Sequence, residues 1–227
     1  GPRAEALVQT AVLSLTSTVS DVDIVIGSDE AGQGEWLGPL VIAAVALTPF
    51  QSKILQSLGV MDSKDIPIEK MADISKEIEL NCTSKQVLLI TPETFNLRFD
   101  ELHKEGKDLN DLLAWGHSKT ISEIYRDLSP KMRIRVIIDE FARYKTEQRL
   151  ARLIPLDSIE LIQKPRAEEE IAVAAASILA REAREDWIDR QSEKIGVDLR
   201  EMSILEASKR DDCHTFSKVK YLRKMSG

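Results

Sequence analysis

The sequence predicts an α/β fold in which a central sheet is flanked by helices. Short runs of β-branched and small apolar residues, typical of buried strands, alternate along the chain with segments whose apolar residues recur at helical spacing. The chain has 227 residues, 43% of them hydrophobic, so it can bury one sizeable core. We expect a single domain over 21–227 after an arm at 1–20, and we leave Gly1-Pro2 out of the fold because it is typical of a protease remnant.

The first half of the chain contains three predicted strands, at 24–26, 40–47 and 87–90. A glycine-rich loop over 27–38 follows the first strand, and Pro49 ends the second. Pro67 begins a predicted helix that continues to about residue 80, because apolar residues there recur at helical spacing.

The second half contains two predicted helices, at 108–128 and 169–195, and two predicted strands, at 134–138 and 159–162. The strand at 134–138 is followed directly by Asp139. The first half of the later helix is rich in alanine, and small residues allow a helix to approach a sheet closely. His117 lies within the earlier helix beside Trp115, which favours a packing role.

The net charge of −7 argues mildly against a nucleic-acid partner, because binding phosphates requires positive charge. Cations bound to a carboxylate site would neutralise part of this charge. The C-terminal stretch is basic, which fits either a patch that grips a phosphate backbone or a solvated helix end. No apolar run approaches the roughly 20 residues of a membrane span, and Cys82 and Cys213 lack metal-ligand spacing, so we expect free thiols in a cytoplasmic protein.

Carboxylates occur at three places where they could hold a metal ion. Asp29 and Glu30 follow the first strand, Asp139 follows a later one, and Glu168-Glu169-Glu170 precedes the alanine-rich helix. Carboxylate oxygens at strand ends are the ligands that Mg²⁺ and Mn²⁺ prefer. The alternatives are an acidic turn for the first pair and stabilisation of a helix N-terminus for the last group. A P-loop ATPase is excluded, because no segment has the glycine and lysine spacing of a phosphate loop.

Several segments resemble, in the same order, those of the type 2 ribonucleases H. Asp29-Glu30-Ala31-Gly32-Gln33-Gly34 is similar to that family's Asp-Glu-Ala-Gly-Arg-Gly, with Gln33 in place of the arginine of the HII branch. Glu35-Trp36-Leu37-Gly38-Pro39 looks more like the HIII branch. The remaining similar segments are Asp62-Ser63-Lys64, the helix at 109–117, Asp139-Glu140-Phe141-Ala142 and the helix at 172–178.

The resemblance implies a ribonuclease H-like fold with a central mixed β-sheet and a helical C-terminal extension. It also implies an endonuclease that hydrolyses the RNA strand of RNA/DNA hybrids with two Mg²⁺ or Mn²⁺ ions. Carried over by position, the metal ligands and catalytic residues are Asp29, Glu30, Asp139 and Glu168, with Glu169 or Glu170 in place of Glu168 as the fallback. In this hypothesis one ion activates a water and the other stabilises the leaving 3′ oxygen.

The resemblance also implies a role for the glycine loop in substrate recognition. The backbone at Gly32, Gln33 and Gly34 would contact 2′-hydroxyl groups, which distinguish RNA from DNA. Ser63, Lys64 and Ser177 are candidates for phosphate contacts. The tyrosine with which the HII branch reads an RNA–DNA junction has no assigned counterpart here. The N-terminal substrate-binding domain of the HIII branch is expected to be absent or removed, since about 20 residues precede the first strand.

Two other functions remain open at this point. The chain could be a non-catalytic nucleic-acid-binding protein on the same scaffold, which would bind hybrids without metal-dependent turnover. It could also be another nuclease of the wider ribonuclease H fold, such as a junction resolvase. We expect a monomer that binds an RNA/DNA hybrid duplex and does not bind a membrane.

Overall fold

The computed structural model describes residues 21–61, 64, 66–140 and 143–224. For residues 223 and 224 it describes the backbone and not the side chains. The predicted arm at 1–20 lies outside this range. The same is true of Ser63, a candidate for phosphate contacts, and of Phe141-Ala142 after the third acid.

The core of the molecule is one five-stranded sheet with the strand order β3-β2-β1-β4-β5. The strands are β1 (Ile24–Ala31), β2 (Leu40–Leu47), β3 (Ser84–Ile90), β4 (Ile134–Asp139) and β5 (Ile159–Lys164). β1 pairs antiparallel with β2 and parallel with β4. β3 continues the antiparallel half and β5 the parallel half, so the sheet is mixed, as expected.

Eight α-helices surround the sheet in the described part of the chain. They are α1 (Pro49–Ser57), α2 (Ile68–Asn81), α3 (Pro92–Lys104), α4 (Leu109–Asp127), α5 (Arg143–Leu150), α6 (Ile171–Ile195), α7 (Ile204–Ser208) and α8 (Val219–Lys224). None of these helices is long and apolar enough to cross a membrane.

Alternation along β1 decides which layer each of its side chains meets. Ile24 and Ile26 point to the face covered by α4, where they pack with Ile121 and Ile124. Val25 points to the opposite face, which the alanine-rich start of α6 covers. Side chains farther along β1 therefore point alternately toward α4 and toward α6.

Two glycines let these helices lie close to the sheet. A Cβ on Gly27 would fall 2.2 Å from the carbonyl carbon of Ala172 in α6. A Cβ on Gly116 of α4 would fall 2.1 Å from Cδ1 of Ile42 in β2. Both helices therefore pack at distances that only glycine permits at these positions.

The sequence prediction was wrong about the end of β1 and missed three helices. The glycine-rich loop was expected from Gly27, but β1 continues to Ala31 because it is paired on both sides and its ladder with β2 extends that far. Asp29 and Glu30 therefore lie within a strand and not in a loop. The missed helices are α1, α3 and α5. The first two begin at Pro49 and Pro92, each after a threonine whose side chain caps the helix.

The C-terminal extension is helical, as expected, and returns to the glycine loop. Leu37 forms a bridge with Ser217, and Phe216 and Leu222 pack with Ile188 of α6. These contacts pack the C-terminal extension against the loop.

Candidate active site

The carboxylates predicted from the sequence line one cleft, of about 670 Å³, at the edge of the sheet where β1 and β4 end. The pairing register places Ser28 beside Ile138, so Asp29 and Asp139 follow on neighbouring parallel strands. Glu168 reaches the same cleft from the 3-10 turn that precedes α6. The other residues that line it are Glu30, Ala31, Gly32, Gln33, Glu35, Lys64, Ser177, Arg181, Arg184 and Glu185.

Of the three consecutive glutamates, Glu168 is the one that the cleft contains. Glu169 is outside the lining of the cleft and lines a neighbouring pocket beside Val60 and Met61, which Glu168 also borders. Glu170 accepts a hydrogen bond from Lys164 Nζ at 2.6 Å and forms the N-cap of α6. The geometry therefore favours Glu168, the first choice from the sequence, over the two fallbacks.

Asp29 is half-buried and faces α6. Burial raises the pKa of its carboxyl, and the negative charge of Glu30 raises it further, to about 7. A hydrogen bond from the Ser177 side chain and one from the Glu30 backbone partly oppose this shift. A cation beside Asp29 would stabilise the ionised carboxylate against both the burial and the neighbouring charge.

Glu30 points to the opposite face, toward α4. There its Oε2 lies 3.1 Å from Nε2 of His117, and the side chains of both residues are largely buried. The two adjacent acids are therefore contacted by different helices, Asp29 by α6 and Glu30 by α4.

The glycine loop after β1 is shaped by backbone conformations that favour glycine. Gly32 and Gly34 have φ values of 86° and 78°. A Cβ on Gly32 would also fall 2.3 Å from the carbonyl oxygen of Pro39, so the loop folds back tightly on itself. Gly32 and the exposed Gln33 line the cleft, and Gly34 lies just beyond its lining.

Two buried basic side chains that the sequence did not indicate as site residues hold this loop in place. Arg184 of α6 donates to the Leu37 carbonyl at 3.1 Å and forms an ion pair with Glu35. Lys218, from the basic C-terminal stretch, is fully buried and donates to the Gly38 carbonyl at 2.6 Å. Lys218 is therefore neither a solvated residue nor part of an exposed phosphate-binding patch. Arg184 lies two helical turns after Ser177, on the same face of α6. This spacing is the signal in the sequence that could have indicated Arg184 as a site residue.

The basic side chains of Lys64 and Arg181 line the same cleft as the carboxylates. Arg181 lies one helical turn beyond Ser177, so α6 presents both side chains to the cleft. The cleft thus combines acids at the strand ends with bases around them. This charge pattern suits a phosphodiester whose reacting phosphate is held beside cations.

The donor set of the cleft fits a hard divalent cation, since all four predicted ligands supply oxygen atoms. The pKa of Asp29 is raised first by burial and then by the negative charge of Glu30, and a cation at this point would oppose both effects. Across the described ranges, no three His, Cys, Asp or Glu side chains form a group that could hold a metal ion. The acids share the cleft without being gathered into a cage.

Known protein families and curated proteins include relatives of this chain. A family model described as Ribonuclease HII matches residues 26–210. Ribonuclease HIII of Protochlamydia amoebophila (strain UWE25) is 37% identical over 183 residues, which are 81% of this chain and 58% of that protein. Ribonuclease HIII of Chlamydia pneumoniae is 38% identical over 179 residues, 77% of this chain and 56% of that protein. The chain thus spans little more than half the length of these relatives.

Solved structures show the same fold. Bst-RNase HIII in complex with Mn²⁺ is similar with a TM-score of 0.73 and 25% identity, over 89% of this chain and 70% of that one. Ribonuclease HII of Archaeoglobus fulgidus, solved with PCNA, has a TM-score of 0.61 and 28% identity, over 76% of this chain and 78% of that one. The predicted ribonuclease H-like fold is confirmed, and so is the likeness to the HIII branch. Since the family model covers well over half of its residues, the chain belongs to the ribonuclease HII family.

Proposed function

We propose that the chain is a metal-dependent endonuclease that hydrolyses the RNA strand of RNA/DNA hybrids. The observation that carries this proposal is the single cleft that Asp29, Glu30, Asp139 and Glu168 line together with the glycine loop. Membership of the ribonuclease HII family supports the nuclease activity, and the Mn²⁺ complex of Bst-RNase HIII supports the use of a divalent ion.

In this proposal the four carboxylates hold two Mg²⁺ or Mn²⁺ ions. When bound, such ions supply an activated water and stabilise the leaving oxygen. The protein contributes the positions of the ligands: the sheet fixes Asp29 and Asp139 on neighbouring strands, and the turn before α6 supplies Glu168. Because the acids share the cleft without forming a ready group, binding of the ions is expected to draw them together.

The glycine loop is proposed to recognise the ribose. Without Cβ atoms, the backbone at Gly32 and Gly34 can come close to a 2′-hydroxyl, which DNA lacks. Lys64 and Arg181, which line the same cleft, would contact phosphates of the substrate. Ser177 already donates a hydrogen bond to Asp29, so we assign its first role to orienting that carboxylate and its phosphate contact to a second role.

We further propose that the enzyme acts as a monomer in the cytoplasm. All four acids come from one chain, so the cleft requires no second copy. Cys82 and Cys213 are both free thiols, which suits a reducing compartment.

A cleavage assay on labelled duplexes tests the proposal. With Mn²⁺ present we expect an RNA/DNA hybrid to be cut in its RNA strand and double-stranded DNA to be left intact. A duplex with one ribonucleotide shows whether a single 2′-hydroxyl suffices. Binding of the hybrid without cleavage would overturn the proposal and favour a non-catalytic binding protein, and equal cleavage of DNA would overturn the role of the loop.

The choice among the three glutamates has a matched pair of variants. Glu168→Gln should reduce the cleavage rate about 100-fold or more, because it removes a proposed metal ligand. Glu169→Gln changes the adjacent residue, which faces a neighbouring pocket, and should leave the rate nearly unchanged. The reverse ranking of the two rates would transfer the ligand role to Glu169.

A further inference from the structure

His117 of α4 is a fully buried histidine that contacts Glu30 of the acidic pair. Its position within a helical stretch favoured a packing role when only the sequence was considered. The structure instead places its two ring nitrogens against Ser28 and Glu30, and Ser28 is also fully buried. Both contacts are to polar groups of one strand, at the edge of the proposed metal site.

The geometry of β1 brings these partners together. Ser28 and Glu30 are two residues apart, so both point to the sheet face that α4 covers. Nδ1 of His117 lies 2.7 Å from Oγ of Ser28, and Nε2 lies 3.1 Å from Oε2 of Glu30. The imidazole ring therefore spans the two side chains.

Counting hydrogens relates the two contacts of the ring. An ionised carboxylate can only accept, so Nε2 of His117 carries the hydrogen that it donates to Glu30. In the neutral ring Nδ1 then has no hydrogen and accepts from the Ser28 hydroxyl, which also lies 2.8 Å from the carbonyl oxygen of Ala43 on β2. The contact with Ser28 fixes which edge of the ring faces the strand, and Nε2 is directed at the Glu30 carboxylate.

We propose that His117 is a positioning residue that, anchored by Ser28, holds the Glu30 carboxylate in the orientation that a divalent ion requires. The inference rests on the proposed function, in which Glu30 is a metal ligand. A glutamate side chain loses considerable rotamer freedom when it is fixed, and a buried partner that orients it in advance reduces what the ion must order. Glu30 would thus be oriented through α4, as Asp29 is oriented by Ser177 through α6.

Two substitutions separate the two halves of the contact. His117→Asn keeps an amide near the position of Nδ1, so it retains the bond to Ser28 and loses the one to Glu30. His117→Gln places its amide near the position of Nε2 and can still donate to Glu30. Ser118→Ala, at the next residue of α4, is the control, because that hydroxyl is buried and has no hydrogen-bond partner among the described residues.

The first measurement is Mn²⁺ affinity by calorimetry on the full chain, with thermal unfolding in EDTA to establish that each variant folds. We expect His117→Asn to weaken Mn²⁺ binding about tenfold or more, within the range for partners of metal ligands. His117→Gln should recover most of the affinity, and Ser118→Ala should match the wild type. If His117→Asn bound Mn²⁺ within twofold of the wild type, His117 would be a packing residue and the inference would be overturned.

Cleavage of the hybrid as a function of Mn²⁺ concentration gives the second measurement. The midpoint for His117→Asn should shift to higher Mn²⁺ by a similar factor, while the plateau rate stays close to that of the wild type. If His117→Asn did not fold, Ser28→Ala would test the same inference, with an expected weakening of a few-fold and unchanged affinity as the contrary result.

The outcomes separate this inference from the proposed function. A wild type that binds Mn²⁺ but does not cut hybrids would refute the proposed activity, and the affinities would still decide the role of His117. A wild type that binds no Mn²⁺ would overturn both.

Discussion

Asp29 and Glu30 are neighbours in the chain, yet side chains from opposite faces of the sheet hold them. Asp29 accepts a hydrogen bond from Ser177 of α6, and Glu30 contacts His117 of α4. This follows from the alternation of side chains along β1, which continues through both residues. Adjacent acids can therefore serve as two separately oriented ligands, although they repel each other.

At the residue scale, the burial of Asp29 and its repulsion by Glu30 together predict how stability depends on pH. The pKa of Asp29 is about 7 in the folded protein and near 3.8 when unfolded. The folded state thus binds the extra proton between these values, and the contribution of Asp29 to stability is complete below about pH 4 and is lost as the pH rises through 7. In EDTA at pH 7.5, Asp29→Asn should be more stable than the wild type by roughly 2 kcal/mol or more.

Urea unfolding of the wild type and Asp29→Asn at several pH values measures this difference. The advantage of Asp29→Asn should shrink as the pH falls from 7.5 to 4.5, and saturating Mn²⁺ should reverse the ranking, because the ion binds the folded wild type more tightly. An Asp29→Asn protein that is less stable than the wild type at every pH in EDTA would contradict the account.

At the scale of elements, α6 links the core to the cleft. Its N-terminal alanines lie on β1, the turn before it carries Glu168, and the same helix presents Ser177, Arg181 and Arg184 to the cleft. The contact at Gly27 sets the distance between this helix and the strand that bears Asp29. A change in that distance would move the proposed ligands on both elements.

Two glycine substitutions test how tightly the helices are fixed. In Gly27→Ala the new Cβ meets the backbone of α6, which cannot turn away, so unfolding should become easier by about 3 kcal/mol or more. In Gly116→Ala it meets the end of the Ile42 side chain, which can rotate, so the loss should be about 1 kcal/mol. Urea unfolding compares them, and an equal or smaller loss for Gly27→Ala would mean that α6 is not held at this distance.

At the scale of the whole molecule, the sequence predicted what depends on local pattern. The apolar runs located all five strands, and the alanine-rich stretch located α6. The sequence also indicated four of the six acids that line the cleft, because they stand near the ends of apolar strands or before the alanine-rich helix. The resemblance to a known family assigned these acids a common role as metal ligands, and that role stays a prediction.

The sequence did not indicate the contacts that cross the molecule. Lys218 reaches the Gly38 carbonyl from 180 residues away, and His117 reaches Glu30 from 87 residues away. A lysine that is buried and donates to carbonyl oxygens can have the same local sequence around it as a lysine at the surface. Only the return of the chain after α6 distinguishes them, so the support of the site is a property of the whole fold.

The central claim is that Asp29 belongs to a metal-dependent centre that cuts RNA in hybrids. The rate of cleavage of an RNA/DNA hybrid by the wild type and by Asp29→Asn, each at saturating Mn²⁺, tests it most directly. We expect the wild type to be active with Mn²⁺ and inactive in EDTA, and Asp29→Asn to be slower by about 100-fold or more. Equal rates for the two proteins, or full activity in EDTA, would contradict it.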